Sequence, residues 1–276
     1  MTDEWVLVTS GHDVAGKTLS QYLLRSAGFE REDRRDSYGE SYHSPRHKNI
    51  HLYMFDGNLL TFEHASAIFP QADAFIFLSR HMSQSSIPAL TCHFTGNFSA
   101  DDSYGGYPRQ LGTTYPSLLK GYLNAIVAVR HEVPEYEVTI EATHHGPTSL
   151  NKPLMFIELG SSEKQWRDEN AAGVICDALL DTLANGFERS HHIGIALGGT
   201  HYPQKFNKLL LNSKFALASV VSKYNLEAID QAMLYQMIEK SAEKVTHVVL
   251  DIKGLGSEKD RIFKILDKTP LEVYRV

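Results

Sequence analysis

Ala74-Phe75-Ile76-Phe77-Leu78 is apolar at every position and runs directly into Ser79-Arg80-His81. A short apolar run without polar alternation is the pattern of a buried strand. Working outward, Glu4–Thr9, Pro153–Leu159, His192–Leu197, Phe215–Val220, Thr246–Ile252 and Leu271–Val276 read as further strands. Between them lie segments with helical spacing: Val14–Ala27, with Leu19, Tyr22 and Leu23 in phase; Ser117–Arg130; and a helix from the Ser162/Gln165 capping box to about Ala184. A short helix after Pro203, then Glu227–Ala242 and Ser257–Leu266, complete the alternation. It predicts a three-layer α/β/α fold on a mixed, mostly parallel sheet, with functional loops beyond the carboxyl ends of the strands.

Other segments interrupt this order. Glu30–Lys48 carries Arg31, Arg34, Arg35, Arg46 and Lys48 among acids and reads as a charged loop excursion. Ile50–Phe55 and Asn58–Phe62 read as a hairpin-like pair, and Tyr136–Glu141 as a strand. Ser79–Pro116 has little periodicity and reads as one long loop, a length usually found where loops carry function. There is no internal repeat or linker, so residues 1–276 read as one α/β domain.

Composition narrows the class. With 42% hydrophobic and 22% charged residues the chain is an ordinary folded protein, not a disordered or fibrous one. The net charge of −6 means that a nucleic-acid partner would have to meet a local basic patch. Cys92 and Cys176 form no C-x-x-C pair, so neither a disulfide framework nor a thiolate metal site is expected, and the reducing cytoplasm is the default compartment. No apolar run reaches the roughly 18 residues of a membrane span, and Met1–Trp5 has no signal-peptide pattern.

The 14 histidines are the unusual feature. They cluster with other chemistry-bearing residues in four segments at apparent strand ends: Ser79–Asn97, with Arg80, His81, Cys92 and His93; Glu141-Ala142-Thr143-His144-His145-Gly146-Pro147; Glu158-Leu159-Gly160-Ser161, with Trp166 following; and Gly198-Gly199-Thr200-His201-Tyr202-Pro203. Any single histidine near a strand end more often bonds a backbone carbonyl than carries chemistry. Four such loops on one edge of a parallel sheet would converge on a shared cleft. Imidazoles and carboxylates together suit metal-assisted hydrolysis, and equally a metal-free site in which His and Glu move protons. A serine nucleophile has no G-x-S-x-G support, and Cys92 only its proximity.

A competing motif lies at the amino terminus, where Gly11-His12-Asp13-Val14-Ala15-Gly16-Lys17-Thr18 satisfies G-x-x-x-x-G-K-[ST] after a strand. Asp13 places negative charge where a phosphate would sit, and Asp251 is the one candidate Mg²⁺ partner. The plainer reading is a tight strand-to-helix turn with Lys17 exposed.

The stretch SRHxSxSxxPxLTxHxTGN, EATHHGP, ExGS followed by Trp, and GGTHYxP, in this order, resemble the archaeal and plant type of D-aminoacyl-tRNA deacylase over nearly the whole chain. The P-loop-like string is not part of that pattern. The resemblance implies a phosphorylase/hydrolase-like fold similar to peptidyl-tRNA hydrolase, zinc dependence, action as a monomer, and hydrolysis of the ester between a D-amino acid and the terminal ribose of tRNA. On these positions His144, His145, His201 and Glu158 are expected to hold Zn²⁺. His81, Glu141 and His93 are the expected catalytic residues. Arg80, Asn97, Thr95, Tyr202, Lys205 and Lys208 are the expected substrate contacts, with Lys214 and the arginines of 30–48 as further phosphate partners and Tyr107, Tyr115 or Tyr202 as stacking platforms. The alternatives are a P-loop nucleotide hydrolase using Lys17 and Thr18, or a non-catalytic binder of RNA ends.

Overall fold

The computed structural model describes residues 3–35 and 37–276. In chain order the elements are β1 (Trp5–Ser10), α1 (Val14–Arg25), β2 (Glu30–Arg35), β3 (Gly39–His43), β4 (Ile50–Phe55), α2 (Ala65–Ile68), β5 (Ala74–Met82), β6 (Ala89–Phe94), α3 (Pro116–Val129), β7 (Glu137–Ile140) and β8 (Leu154–Ser161). There follow α4 (Glu163–Trp166), α5 (Glu169–Asn185), β9 (His192–Gly199), α6 (Gln204–Asn212), β10 (Phe215–Ser222), α7 (Gln231–Glu239), β11 (His247–Leu250), α8 (Ile252–Leu255), α9 (Lys259–Leu266) and β12 (Glu272–Arg275).

The strands form two sheets. The larger has the order β2-β3-β4-β1-β5-β8-β6-β7 and the smaller β10-β9-β11-β12. The smaller is wholly parallel. In the larger, β4, β1, β5 and β8 run parallel, whereas β3 pairs antiparallel with β4 and β6 with β8. The α/β class and the mixed, mostly parallel pairing agree with the sequence reading.

The uninterrupted apolar run in β5 has a direct cause. Ile76 and Leu78 face a core with Leu19 and Leu23 of α1, Leu119 and Leu123 of α3, and Ile175 and Leu179 of α5. Phe75 and Phe77 face the opposite side, against Leu59, Phe62, Ala65 and Phe156. Both faces are covered, so no polar residue interrupts the strand. The first of these cores also takes in Leu217 and Val249 of the smaller sheet.

Several expected boundaries move. The 30–48 segment holds the β2–β3 hairpin, a polar edge whose charges hide the strand pattern and discourage edge-to-edge pairing. Asn58–Phe62 is not a strand: the Asn58 side chain accepts the Leu60 amide at 3.0 Å and caps a 3-10 turn over Leu59–Thr61. Part of the expected 79–116 loop is strand, because β5 continues to Met82 and β6 covers Ala89–Phe94. The 162–184 helix is two helices. Ser162 donates to the Gln165 side chain at 2.5 Å instead of capping, and Asp168 restarts the helix by accepting the Ala171 amide at 3.0 Å. Asp230 likewise starts α7 later than expected, accepting the Met233 amide at 2.8 Å.

Candidate active site

The site grows out of one face of the larger sheet. On β5 the residues on the Phe75/Phe77 side continue as Ser79 and His81; on β8 Leu154 and Phe156 continue as Glu158 and Gly160. In register with these on the antiparallel neighbour β6 stand Thr91, opposite Glu158, and His93, opposite Phe156. The aromatic floor thus becomes a polar cluster along the strands. The His93 ring lies nearly parallel to Phe156, centroids 5.4 Å apart.

The convergence is real, but its route differs from the one expected. Because β6 and β7 oppose β8, His93 and the Glu141–His145 segment arrive from the opposite direction, and the four segments meet over the sheet face instead of along one carboxyl edge. Backbone bonds stitch the segment in place: the Glu141 amide donates to Cys92 O at 3.0 Å, Ala142 to His201 O at 2.8 Å, and Thr143 to Val220 O at 2.9 Å. His145 has φ +43°, a left-handed conformation rare outside glycine, and it lets two consecutive imidazoles join the same cluster.

Two buried carboxylates organise the imidazoles. Glu158 accepts from the Ser79 hydroxyl at 3.0 Å and lies 3.3 Å from His81 Nδ1, 3.6 Å from His93 Nε2 and 3.9 Å from His145 Nε2. Glu141 lies 3.0 Å from His81 Nδ1, 2.8 Å from His201 Nε2 and 3.7 Å from His144 Nε2. Burial alone would raise both acids, yet hydrogen bonds from the surrounding imidazoles hold them well below the usual carboxylate range. Burial opposes charge on His81 too, but the bonds to Glu141 and Glu158 outweigh it and push His81 up to about 10. His144 is held well below the ordinary imidazole value by burial and by neighbouring His93 and His145, and burial also lowers His145. The site therefore combines a cationic imidazole, two carboxylates and neutral imidazoles.

Ring orientation is fixed from behind. Nδ1 of His93, His144 and His145 lie 3.1, 2.8 and 2.7 Å from the carbonyls of Phe94, Ala142 and Gly146. A carbonyl only accepts, so each Nδ1 carries the proton and each Nε2 is the lone-pair atom in the neutral ring. Two triads that share His144 have ligand atoms within 4.8 Å of one another: His93/His144/His145 and Glu141/His144/His201. The expected quartet of His144, His145, His201 and Glu158 is not gathered as one such group.

Comparison with known proteins bears directly on this cluster. The family model described as D-aminoacyl-tRNA deacylase matches residues 68–274. The chain belongs to the D-aminoacyl-tRNA deacylase family. It is 36% identical over 268 residues to the D-aminoacyl-tRNA deacylase of Cenarchaeum symbiosum, covering 97% of this chain and 98% of that one. It is 32% identical to that of Methanosarcina mazei, covering 98% and 91%. Among solved structures, a conserved protein of unknown function superposes with a TM-score of 0.89 at 27% identity, over 99% of this chain and 95% of that one.

In this member of the deacylase family a cavity of about 590 Å³ opens onto His81, Glu141, His144, His145, Glu158 and His201. Of the expected substrate contacts, Arg80 lines it; Tyr202 does not, but its hydroxyl lies 3.1 Å from Nε2 of the lining residue His81. Thr95 does not serve as one: it is fully buried and donates its hydroxyl to Pro147 O at 2.7 Å. Asn97 spends its amide on the carbonyls of Gly105 and Tyr107. Lys205 is committed to Asp251 at 2.7 Å and to Val276 O, and neither it nor Lys208 lines the cavity. Tyr115 is a core residue packed on Trp5 and Phe187. The side chains of Arg34 and Arg35 lie outside the described residues. Cys92 is buried, and burial raises its thiol, which removes it as a nucleophile.

The P-loop reading fails locally. Asp13 accepts the Gly16 amide at 2.7 Å and so caps α1 itself, where phosphate would bind. The Thr18 hydroxyl donates to Val14 O and Trp166 O and is not free for Mg²⁺. Ser10, His12 and Asp13 do line the cavity, as do Tyr104, Leu60 and Phe156. Sequence reading did not place these in the site, having weighed the 11–18 stretch as a phosphate motif or a plain strand-to-helix turn.

Proposed function

We propose that this cavity hydrolyses the ester between a D-amino acid and the terminal ribose of tRNA, assisted by zinc. The observation that carries the reading is the gathering of three imidazoles, each with Nδ1 anchored on a backbone carbonyl, beside a cationic imidazole held between two carboxylates. Cleaving an aminoacyl ester requires a water delivered to the acyl carbon, stabilisation of the oxyanion, and a proton for the departing ribose oxygen.

The donor set fits a zinc ion. Among the described residues His93 Nε2 is buried without a hydrogen-bond partner, and together with His144 and His145 it makes an all-imidazole triad whose Nδ1 atoms are already anchored on backbone carbonyls. Glu158 raises His93 against its burial, so a metal at Nε2 would compete with a proton there. Zinc bound by His93, His144 and His145 would supply Lewis acidity beside the acyl carbon. That assignment differs from the expected ligand set by bringing in His93 and leaving His201 to Glu141.

The chain's own groups then divide the proton work. The Glu141–His201 pair, 2.8 Å apart and open to the cavity, is arranged to take a proton from the attacking water, with Glu141 orienting the ring. His81, charged at neutral pH, faces developing negative charge and, next to the Tyr202 hydroxyl, can return a proton to the ribose oxygen. A tRNA substrate supports a cytoplasmic site of action. Among the described residues no helix is long and apolar enough to cross a membrane.

The test is purified protein with matched D- and L-aminoacyl-tRNA, with and without chelator, followed by zinc addition. D-selective release lost on chelation and restored by zinc is expected. Absence of release from D-aminoacyl-tRNA would remove the reading, and chelator-insensitive release would remove its zinc.

A further inference from the structure

Tyr104 is 67% exposed, yet its backbone is tied by hydrogen bonds into the neighbouring loops. Its carbonyl accepts the Gly146 amide at 3.1 Å, next to His145. The following carbonyl, of Gly105, accepts the Asn97 side-chain amide at 2.8 Å, which also donates to Tyr107 O at 3.3 Å. The Tyr107 amide donates to the Thr148 hydroxyl at 2.8 Å. Gly105 and Gly106 both have φ near +77°, and a Cβ on Gly105 would run into the Leu60 carbonyl, so the loop is pressed backbone to backbone against its neighbours.

All this anchoring presents a ring that the fold itself does not use. Among the described residues the phenol has no hydrogen bond and the ring meets no aromatic or cationic partner. Tyr104 lines the main cavity and also a smaller one of about 150 Å³, and both share His144 and His145 with it. It therefore stands at the rim, directly outside the imidazole cluster.

Resting on the deacylase reading above, we propose that Tyr104 is the stacking platform for the terminal nucleobase of the tRNA substrate. The acyl ester must enter the buried His/Glu end, and only one ribose separates that ester from the base of the same nucleotide, which places the base at the rim. An exposed aromatic on a preorganised backbone offers a sequence-tolerant face to an unpaired base at little conformational cost.

The test is a cycle between protein and substrate, with Tyr104→Ala and Tyr104→Phe assayed on D-aminoacyl-tRNA carrying either the normal terminal adenosine or an abasic terminal ribose. Loss of one stacked base corresponds to roughly tenfold or more in kcat/KM. Tyr104→Ala is expected to lose that factor on the normal end only, and Tyr104→Phe to retain it. In parallel, tRNA ending in 2-aminopurine should be quenched on binding wild-type protein and not on binding Tyr104→Ala, a readout independent of hydrolysis. Equal loss on both substrates, no loss on either, or an unchanged quench would overturn the inference while leaving wild-type hydrolysis intact. Wild-type protein that shows the Tyr104-dependent quench but no hydrolysis would instead overturn the deacylase reading alone.

Discussion

Nδ1 of His81 lies 3.0 Å from Oε1 of Glu141, and the second oxygen of that carboxylate stands 2.8 Å from His201 Nε2. One carboxylate thus couples the cationic imidazole of β5 to the His201 ring on the loop after β9. With Glu158 3.3 Å from the same His81 nitrogen, the cation also keeps two buried acids ionised side by side.

His81→Ala is accordingly expected to abolish deacylation and to destabilise the chelator-treated protein, since breaking a buried charge pair costs about 3–5 kcal/mol. The pH dependence has a defined sign. The lowered carboxyls contribute stability above their unfolded value of about 4.3, and it is lost as pH falls through the folded value. The raised imidazole contributes stability that is complete below its unfolded value of about 6.5 and is lost as pH climbs toward about 10. Thermal melts should therefore show the largest gap between wild type and variant at pH 4.5–6.5, narrowing on both sides. A gap that widens steadily with pH would contradict the pairing.

Gly160→Ala tests the register that makes the site. Gly160 pairs with His81 across β5 and β8, and a Cβ there would overlap the His81 carbonyl and approach its Cβ at 2.5 Å. Backbone atoms in a central strand have little room to yield, so overpacking of about 1–3 kcal/mol is expected. His81 should be displaced from Glu141 at the same time. Activity should fall more than the melting temperature would suggest, read as kcat at a temperature where the variant is fully folded. Unchanged kcat would show that His81 tolerates the shift.

How much of this was legible beforehand depended on whether a segment's polarity came from solvent or from the site. Phe75 to Leu78 announced a buried strand because both faces meet core. Thr91 and His93 concealed β6, since polar residues aimed at a buried polar cluster read like loop residues in a sequence. The β2–β3 edge was concealed for the opposite reason, its polarity being that of an exposed margin. The site residues themselves were findable from four motifs. Their meeting over a sheet face was not, because nothing local reveals that β6 runs against β8. Tyr104 and Asp13 left no signal beyond ordinary loop and capping chemistry.

Lys17→Ala separates the deacylase site from the phosphate motif beside it. Lys17 is exposed on α1, whose first turn is capped by Asp13, and alanine is a good helix former. Stability should change by no more than about 0.5 kcal/mol, D-aminoacyl-tRNA hydrolysis should persist, and no ATP turnover should exist to be lost. ATP hydrolysis by wild type that disappears in the variant would restore the nucleotide reading despite the Thr18 hydroxyl's commitment to Trp166 O.

The ligand question is decided by the shared residue and its unshared partners. His144 belongs to both triads, so His144→Ala should lose bound zinc whichever set is used. His93→Ala and His145→Ala remove members of the all-imidazole triad alone, and His201→Ala a member of the other. Metal analysis after dialysis should find zinc missing from the first two and retained in His201→Ala, which would still be inactive for want of the ring that Glu141 orients. Folding must be checked for His93→Ala, because that ring also stacks on Phe156 in the aromatic floor; His93→Gln keeps a polar group there and serves as its control. Zinc lost from His201→Ala and kept in His145→Ala would move the metal to Glu141, His144 and His201. The proton chemistry would then have to fall to His81 and Glu158, the pair 3.3 Å apart on β5 and β8.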